Sequence, residues 1–589
     1  MTLTVFQPNA GIVLDDTATA AEGRWIDADK VRFRRGRAEL VGGWESVTLD
    51  VLTGGCRAIH TWADNAGNPL MAFGTHSKLQ AYSGGGLYDI TPTARLSAVL
   101  TGPFSTVSGS ASVTVVHAGH GAAAGDSVTY SGAGAVGGLT LNGTFSVTSV
   151  TDANTYVITA GGNAGSTASG GGTVTAVYAW TVGLIDGTGG AGYGTGTYGT
   201  GLYGANNYVA EYWPRTWSLD HWGQNLLAAP RNGRIYEWSL NTGTPAAAVA
   251  NAPARVGGIF VTPERILVAC GSNDVTGVWN PMMVRWSDQE QNTVWSPTAL
   301  NQAGDYVLSA GSRIVRGMAG RGANLVFTDQ AVYRMRYLGD PVLVFGFDLV
   351  ETNCGLIGPN AVAQQGGVAV WMGIGGQFWM YDGGSVKPIE CPVQKYISDN
   401  VAWVQQDKIV ISTISNSNEF IIFWPDARDS NEISRYALFN YIENTWSIGL
   451  WDRTAWTDAG PQTYPVATTS AGRIYYHEKG HSADGGPLAW SLESAAYDIA
   501  DGEQLSAILR VVPDLEEAVG GMTVEMQTRA WPQSTPVTRT LGTVNGTTGK
   551  LDCRLTARQI ALKLSGSSAP AFWRLGAVRL DTRESGSKR

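Results

Sequence analysis

Two histidines with the spacing of a zinc-hydrolase motif occur at His477-Glu-Lys-Gly-His481. In that motif, a helix places both imidazoles on one face, where they bind zinc, and the glutamate acts as the base. Here the motif follows the strand-like phrase at residues 472–476, contains Gly480 and leads into the Gly-Gly-Pro sequence at residues 485–487. Glycine and proline so close together favour a turn over a helix. We therefore predict a hairpin tip with both histidines exposed, and no metal site.

Two other motif-like matches lack the elements that their chemistry needs. Gly194-Thr-Gly-Thr-Tyr-Gly199 fits G-x-G-x-x-G, but it lies in a Gly/Tyr tract without the strand and helix that position a dinucleotide. The segment from Trp286 to Trp295 resembles the Asp-box hairpin of sialidase-type propellers, but it has Gln and Asn where glycine belongs. We predict a plain hairpin there, with both tryptophans packed between sheets. The carboxylates show no spacing typical of glycosidases. We predict no enzyme activity, no catalytic residue and no cofactor.

A short basic run, Lys30-Val-Arg-Phe-Arg-Arg-Gly-Arg37, is the best candidate for a contact with a partner. In a strand, alternation places Lys30, Arg32 and Arg34 on one face and the apolar Val31 and Phe33 on the other. A solvated strand face explains such a run equally well. We select Arg32, Arg34 and Arg35 as candidate partner-interface residues.

Composition restricts the classes of protein to which the chain can belong. With 40 basic and 49 acidic residues the net charge is −9, which disfavours tight binding of nucleic acid through its phosphates. Five dispersed cysteines indicate free thiols and synthesis in a reducing cytoplasm. We find no signal peptide in the N-terminal residues and no apolar run of the roughly 18 residues needed to span a membrane.

A recurring aromatic strand phrase predicts the fold. It reads Gly-Arg-Ile-Tyr-Glu-Trp at residues 233–238 and Gly-Arg-Ile-Tyr-Tyr-His at residues 472–477. The equivalent positions Ile235, Val284, Tyr333 and Phe378 are separated by 49, 49 and 45 residues. A β-rich unit with such a period is typical of a propeller, because one blade cannot bury both of its faces alone. With the looser phrases near Leu79 and Leu438, the sequence is consistent with either six or seven blades.

Changes in composition along the chain divide it into segments. Residues 104–178 are rich in Ser, Thr, Val and Gly and carry five alternating strands, which is typical of an immunoglobulin-like sandwich. The fold class predicted is all-β: a propeller with this inserted sandwich and a terminal β platform domain. The predicted segments are an N-terminal platform segment (1–50), a first blade (51–100), the insertion (104–178), a Gly/Tyr-rich linker (179–209), the remaining blades (210–495) and a C-terminal platform domain (496–589).

Several segments resemble one family of viral proteins. Residues 25–36 and Val41-Gly-Gly-Trp44 resemble the opening of tail nozzle (tail tubular B-type) proteins of short-tailed bacteriophages. The similarity extends over residues 284–288, 301–305, 324–333, 371–373, 380–383 and 573–576, which together span nearly the whole chain outside the insertion.

This resemblance implies a hexameric hollow tube in the virion tail, below the portal and adaptor proteins and adjoining tail fibres or spikes. Each subunit would carry a propeller body and a platform built from both chain ends. The tube would retain packaged double-stranded DNA and conduct it during ejection. The alternative hypothesis is a receptor-binding spike or fibre protein whose insertion recognises cell-surface glycan. An enzyme, either a zinc hydrolase or a glycan hydrolase, is a third hypothesis.

Overall fold

The computed structural model is almost entirely β. It describes residues 2–17, 20–92, 98–120, 122, 126–152, 154–179, 182–188, 212–320, 322–340, 343–499, 505–531 and 534–585. The helices that lie wholly within these ranges are the α-helix Gln394–Asn400 and the 3₁₀ helices Trp403–Lys408 and Ser415–Ser417. No helix in the described part of the chain is long and apolar enough to cross a bilayer.

Seven four-stranded antiparallel sheets follow one another along the chain in a propeller-like arrangement. Among the described residues, the first strands of sheets 1 and 2, 2 and 3, 3 and 4, 5 and 6, and 6 and 7 contact one another, and the first strand of sheet 7 contacts that of sheet 1. Sheets 4 and 5 pack together through the rings of Phe327 and Trp371. The strands are, in sheet 1, Cys56–Ala63, Pro69–Thr75, Leu79–Ser83 and Gly86–Asp89; in sheet 2, Trp217–Trp222, Asn225–Pro230, Tyr236–Trp238 and Ala247–Ala248; in sheet 3, Val256–Val261, Leu267–Ser272, Met283–Trp286 and Gly304–Val307; in sheet 4, Ile314–Met318, Asn324–Thr328, Ala331–Tyr337 and Phe345–Thr352; in sheet 5, Val362–Gln365, Val368–Met372, Phe378–Tyr381 and Val386–Pro388; in sheet 6, Val410–Ile414, Glu419–Pro425, Ile433–Asn440 and Thr445–Leu450; and in sheet 7, Arg453–Thr457, Val466–Thr469, Ile474–His477 and Trp44–Ser46.

The recurring aromatic phrase corresponds to the third strand of each sheet. All seven phrases overlap a third strand, from Leu79–Ser83 in sheet 1 to Ile474–His477 in sheet 7. Third strands are paired on both sides and packed against neighbouring sheets, so apolar residues occur on both of their faces. In Met283–Trp286, for example, every residue is buried. In sequence, a strand that is buried on both faces is a continuous apolar run and not an alternation of apolar and polar residues.

Sheet 7 is closed by a strand from the other end of the chain. Trp44–Ser46, which the sequence analysis placed in the platform segment, pairs antiparallel with Ile474–His477. The approach is close: a Cβ at Gly42 would lie 2.7 Å from Glu478 Cα, and one at Gly43 would lie 2.5 Å from the Ser482 carbonyl oxygen. The consecutive glycines of the Val-Gly-Gly-Trp phrase are therefore required for this close backbone contact.

Among the described residues, the remaining strands at the two chain ends form three antiparallel sheets, each of which combines strands from both ends. In each of them, strands from the first 40 residues pair with strands beyond residue 487. The first contains Thr2–Phe6, Val578–Glu584, Ser506–Val512 and Leu551–Ala557; the second Trp25–Asp29, Leu488–Ser494, Gln559–Ser568, Met522–Arg529 and Val537–Val544, with Tyr497–Asp498 beside Gln559–Ser568; and the third Val31–Arg34, Arg37–Leu40, Phe572–Leu575 and Leu515–Val519. Their buried side chains join those of sheets 4, 5 and 6 in one hydrophobic cluster.

A separate β unit lies between sheets 1 and 2 in the sequence. Its strands are Ala98–Thr101, Phe104–Thr106, Ser112–Val116, Ser127–Ser131, Gly143–Asp152, Thr155–Thr159, Ala168–Gly170 and Thr173–Ala179. It begins before the predicted boundary at 104, because Ala98–Thr101 pairs with Thr173–Ala179. The unit has its own core, which includes Tyr130, Tyr156 and Tyr178 with their hydroxyls hydrogen-bonded in a chain.

Candidate partner interface at the junction hairpin

The basic run folds into a β-hairpin at the junction between sheets 6 and 7 and the terminal sheets. We call Val31–Arg34, the turn Arg35-Gly36 and Arg37–Leu40 the junction hairpin. Arg35 and Gly36 both have positive φ, 54° and 69°, as expected for a two-residue turn matching the twist of its strands. Their backbone N–H groups donate to the carboxylate of Glu443 at 2.7 and 3.0 Å. Glu443 therefore attaches the turn to sheet 6.

Arg32 is not available to a partner, which corrects its selection as an interface residue. Alternation does separate it from Val31 and Phe33, but its face of the strand is covered by sheets 6 and 7, and the residue is 4% exposed. Its guanidinium donates to both carboxylate oxygens of Glu478, at 2.6 and 2.9 Å, and to Ser417 Oγ at 2.8 Å. Arg32 therefore links parts of its own chain.

A second carboxylate makes this buried site electrostatically unusual. Glu419 Oε2 lies 3.4 Å from Arg32 Nε, and both side chains are almost fully buried. Burial raises the pKa of Glu419 to about 7, and the nearby Glu478 adds to this, although Arg32 opposes it. Burial also disfavours the charge on Arg32, but Glu419 and Glu478 outweigh it and raise the pKa of the guanidinium. Arg32 thus stays charged and compensates two carboxylates.

The other two selected arginines face solvent. Arg34 is 38% exposed in its side chain and 4.0 Å from Glu39, while Arg35 is exposed at the tip of the turn. Among the described residues, the Arg35 guanidinium has no ion pair. On the far strand, Arg37 lies 4.0 Å from the exposed Glu516 of the third terminal sheet. Arg34 and Arg35 therefore remain candidates for contact with a partner.

The zinc-hydrolase motif is a strand followed by a turn. His477 is fully buried in sheet 7, which corrects the prediction that both histidines are exposed. Its Nε2 accepts a hydrogen bond from Arg453 Nε–H at 2.9 Å, and its ring packs 4.5 Å from that of Trp456. Burial, assisted by Arg453, lowers the pKa of His477 well below its ordinary value. His481 is exposed and contacts Phe572. A ring nitrogen already bonded to a guanidinium is a poor ligand for a cation.

The other two motif matches have different outcomes. Trp286 and Trp295 are both buried, as predicted, and Trp286 packs edge-on against Phe345 of the next sheet at 5.2 Å. The glycine-rich match at residues 194–199 lies outside the described residues.

A polar network lies near the starts of the first strands. Arg57 of sheet 1 donates to both carboxylate oxygens of Glu432 at 2.6 and 2.7 Å. Lys408, just before sheet 6, donates to Asp186 at 2.6 Å, and Gln405 exchanges two hydrogen bonds with the backbone of Gly187. These bonds, with that from Arg57 to the Ile185 carbonyl oxygen, attach residues 182–188, which follow the inserted unit in the sequence, to sheet 1 and to the 3₁₀ helix before sheet 6.

Sequence reasoning missed one cluster of metal-ligating groups. His60 of sheet 1 and the consecutive pair Asp220 and His221 of sheet 2 have ligand atoms within 4.8 Å of one another. Because 161 positions separate the two histidines, no local motif could reveal this cluster.

Comparisons with known proteins establish no family. No family model matches the sequence, and no curated protein matches it. Solved structures that match include a computationally designed protein, Ika8 (11% identity, TM-score 0.33, covering 74% of this chain and all of that one). BamB from Moraxella catarrhalis matches at 9% identity with a TM-score of 0.26, covering 46% of this chain and 85% of that one. The endosialidase of phage phi92 matches at 11% identity with a TM-score of 0.17, covering 84% of this chain and 64% of that one.

Proposed function

We propose that this chain is a structural subunit of a phage tail nozzle, assembled as a hexameric ring below the portal and adaptor. The ring retains genomic DNA and then conducts it during ejection. In this proposal the seven sheets are the blades of a propeller body. The three terminal sheets form the platform, and the inserted unit is an immunoglobulin-like decoration.

The observation that carries the proposal is the interlocking of the chain's two ends. Strands from residues 2–46 pair with strands beyond residue 473 at four separate places, one of them inside sheet 7. Separating the terminal sheets from the ring would break these pairings, together with the hydrophobic cluster that they share with sheets 4, 5 and 6. In a subunit that retains packaged DNA, such a connection would hold the terminal sheets and the seven sheets together under load. The sequence resemblance to nozzle proteins calls for the same arrangement.

The DNA passage in this proposal lies between subunits and not through the centre of one ring of sheets. Closed rotational symmetry around an axis outside the subunit would place this passage on the axis of the hexamer. A subunit with net charge −9 does not grip the phosphates of passing DNA.

Charge reversal at the exposed part of the junction hairpin tests the assembly role. The variant Arg34→Glu/Arg35→Glu should fold normally, because both side chains reach solvent. In the phage that encodes this chain, we expect it to abolish attachment of the chain to the head, as measured by the protein composition of purified particles.

The matched control is Arg336→Glu/Lys395→Glu, which reverses two exposed cations outside the junction hairpin. We expect that variant to assemble. Thermal unfolding of both purified variants establishes that the chain has folded. Normal, infectious particles from the hairpin variant would contradict the interface assignment.

A further inference from the structure

Three ligand atoms from two neighbouring sheets converge at the far ends of their first strands. His60 Nε2 lies 3.0 Å from His221 Nδ1, and Asp220 Oδ1 lies 3.4 Å from the same nitrogen. The His60 ring stacks on the His221 ring, and Trp62 flanks it on the same strand. The cluster is therefore an ordered arrangement of imidazole and carboxylate groups.

Two of the separations among the three ligand atoms are close to those of ligands around a tetrahedral metal ion, and all three atoms lie within 4.8 Å of one another. Zinc binds imidazole nitrogen and carboxylate oxygen at about 2.0–2.2 Å, so two ligands at tetrahedral positions lie about 3.3–3.5 Å apart. The observed 3.0 and 3.4 Å require adjustments of only a few tenths of an ångström. Two imidazoles and one carboxylate fill three positions. The side chain of His221 is 47% exposed, so the fourth position is accessible to water.

The surrounding hydrogen bonds fix the carboxylate in place. Asp220 Oδ2 accepts from the Val261 N–H of sheet 3 at 2.8 Å, and Oδ1 accepts from the His221 N–H at 2.8 Å. Both carboxylate oxygens of Asp220 therefore have fixed positions beside the two imidazoles.

The position of the cluster suggests what a metal would do there. The chain leaves sheet 1 after Asp89 and enters sheet 2 only at Trp217, because the inserted unit lies between them. Sheets 1 and 2 must therefore be held together by contacts between their strands. We propose that His60, Asp220 and His221 bind one divalent transition-metal ion of the zinc type, which connects sheets 1 and 2 across the insertion.

The test uses the full-length chain without an affinity tag, stripped of metal with a chelator. Zn²⁺ binding is measured by calorimetric titration and by metal analysis after dialysis, and the visible absorption of bound Co²⁺ reports tetrahedral coordination. We expect one equivalent of Zn²⁺ and a higher unfolding temperature in its presence, because the ion binds only the folded chain. His221→Ala should weaken binding at least about 100-fold, since even residues that only orient a ligand contribute 10- to 100-fold.

His481→Ala is the matched control, because it removes an exposed histidine from the zinc-hydrolase motif. We expect it to leave Zn²⁺ binding unchanged. Asp220→Asn provides a second variant that keeps the size of the side chain, and it should also weaken binding. Equal affinities in the wild type and His221→Ala would overturn the proposal, as would no stoichiometric binding by the wild type. Loss of binding in His481→Ala alone would overturn it too, by placing the metal at the other motif.

Discussion

Removing the Arg32 side-chain charge tests how the junction hairpin is attached. Arg32→Met keeps much of the side-chain volume but leaves Glu419 buried without its cation, and it leaves Glu478 with no bidentate partner. Breaking a buried ion pair from one side costs about 3–5 kcal/mol of unfolding free energy. Arg34→Met is the matched control on the same strand, where a partly exposed pair contributes about 0–1 kcal/mol.

These energies convert into measurable shifts of the unfolding temperature. With an unfolding entropy of about 2.1 cal/mol/K per residue, a cooperative unit of roughly 400 residues loses about 1 °C for each 0.8 kcal/mol. Arg32→Met should therefore lower the transition by about 4–6 °C, and Arg34→Met by about 1 °C or less. Scanning calorimetry of both variants at pH 8, where Glu419 is mostly ionised, measures the difference.

A double variant separates the lost ion pair from the general cost of the substitution. Arg32→Met/Glu419→Gln removes the carboxylate that Arg32→Met leaves uncompensated. Its loss of unfolding free energy should therefore be smaller than the sum of the two single losses by at least about 1 kcal/mol. Equal shifts for Arg32→Met and Arg34→Met would refute the reasoning. Strict additivity of the two single substitutions would refute the specific role of Glu419.

Three further perturbations have defined outcomes. Because the pKa of Glu419 is raised from 4.5 to about 7, the folded chain binds more protons than the unfolded chain between these values. The wild type should therefore lose about 1.4 kcal/mol of stability relative to Glu419→Gln between pH 6 and pH 8, and parallel pH profiles by calorimetry would contradict this. Gly43→Ala should loosen the closing strand, since its Cβ would lie 2.5 Å from the Ser482 carbonyl oxygen; faster proteolysis near residues 40–50 measures this, and an unchanged digestion pattern counts against it. Replacing residues 98–179 by a short Gly/Ser linker should leave the rest folded and assembly intact, because that unit has its own core; particles that assemble but fail to adsorb to cells would favour the receptor-binding alternative.

Local sequence could predict those parts of the fold in which the same pattern of buried residues recurs from one sheet to the next. Third strands such as Ala331–Tyr337 are packed on both faces, so their aromatic and apolar residues recur at a visible period. The closing strand Trp44–Ser46 gave no such signal, because three residues carry little periodicity and their partner lies more than 400 positions away. Pairing over that distance depends on the whole ring.

The candidate sites show the same dependence on distant parts of the chain. Alternation correctly separated Arg32 from Val31 and Phe33, but only sheets 6 and 7 determine that the Arg32 face is buried. The glycine and proline after His477 correctly indicated a turn, yet the histidine itself ends a buried third strand. Charged and polar residues buried at junctions between sheets are the features that a single sequence conceals best.

The copy number of this chain relative to the portal protein, in purified virions of the phage that encodes it, tests the nozzle proposal most directly. Quantitative mass spectrometry of peptides from both proteins gives the ratio. A hexameric ring on a portal dodecamer predicts about one copy for every two portal subunits. A clearly different ratio, or absence of the chain from virions, would contradict the proposal.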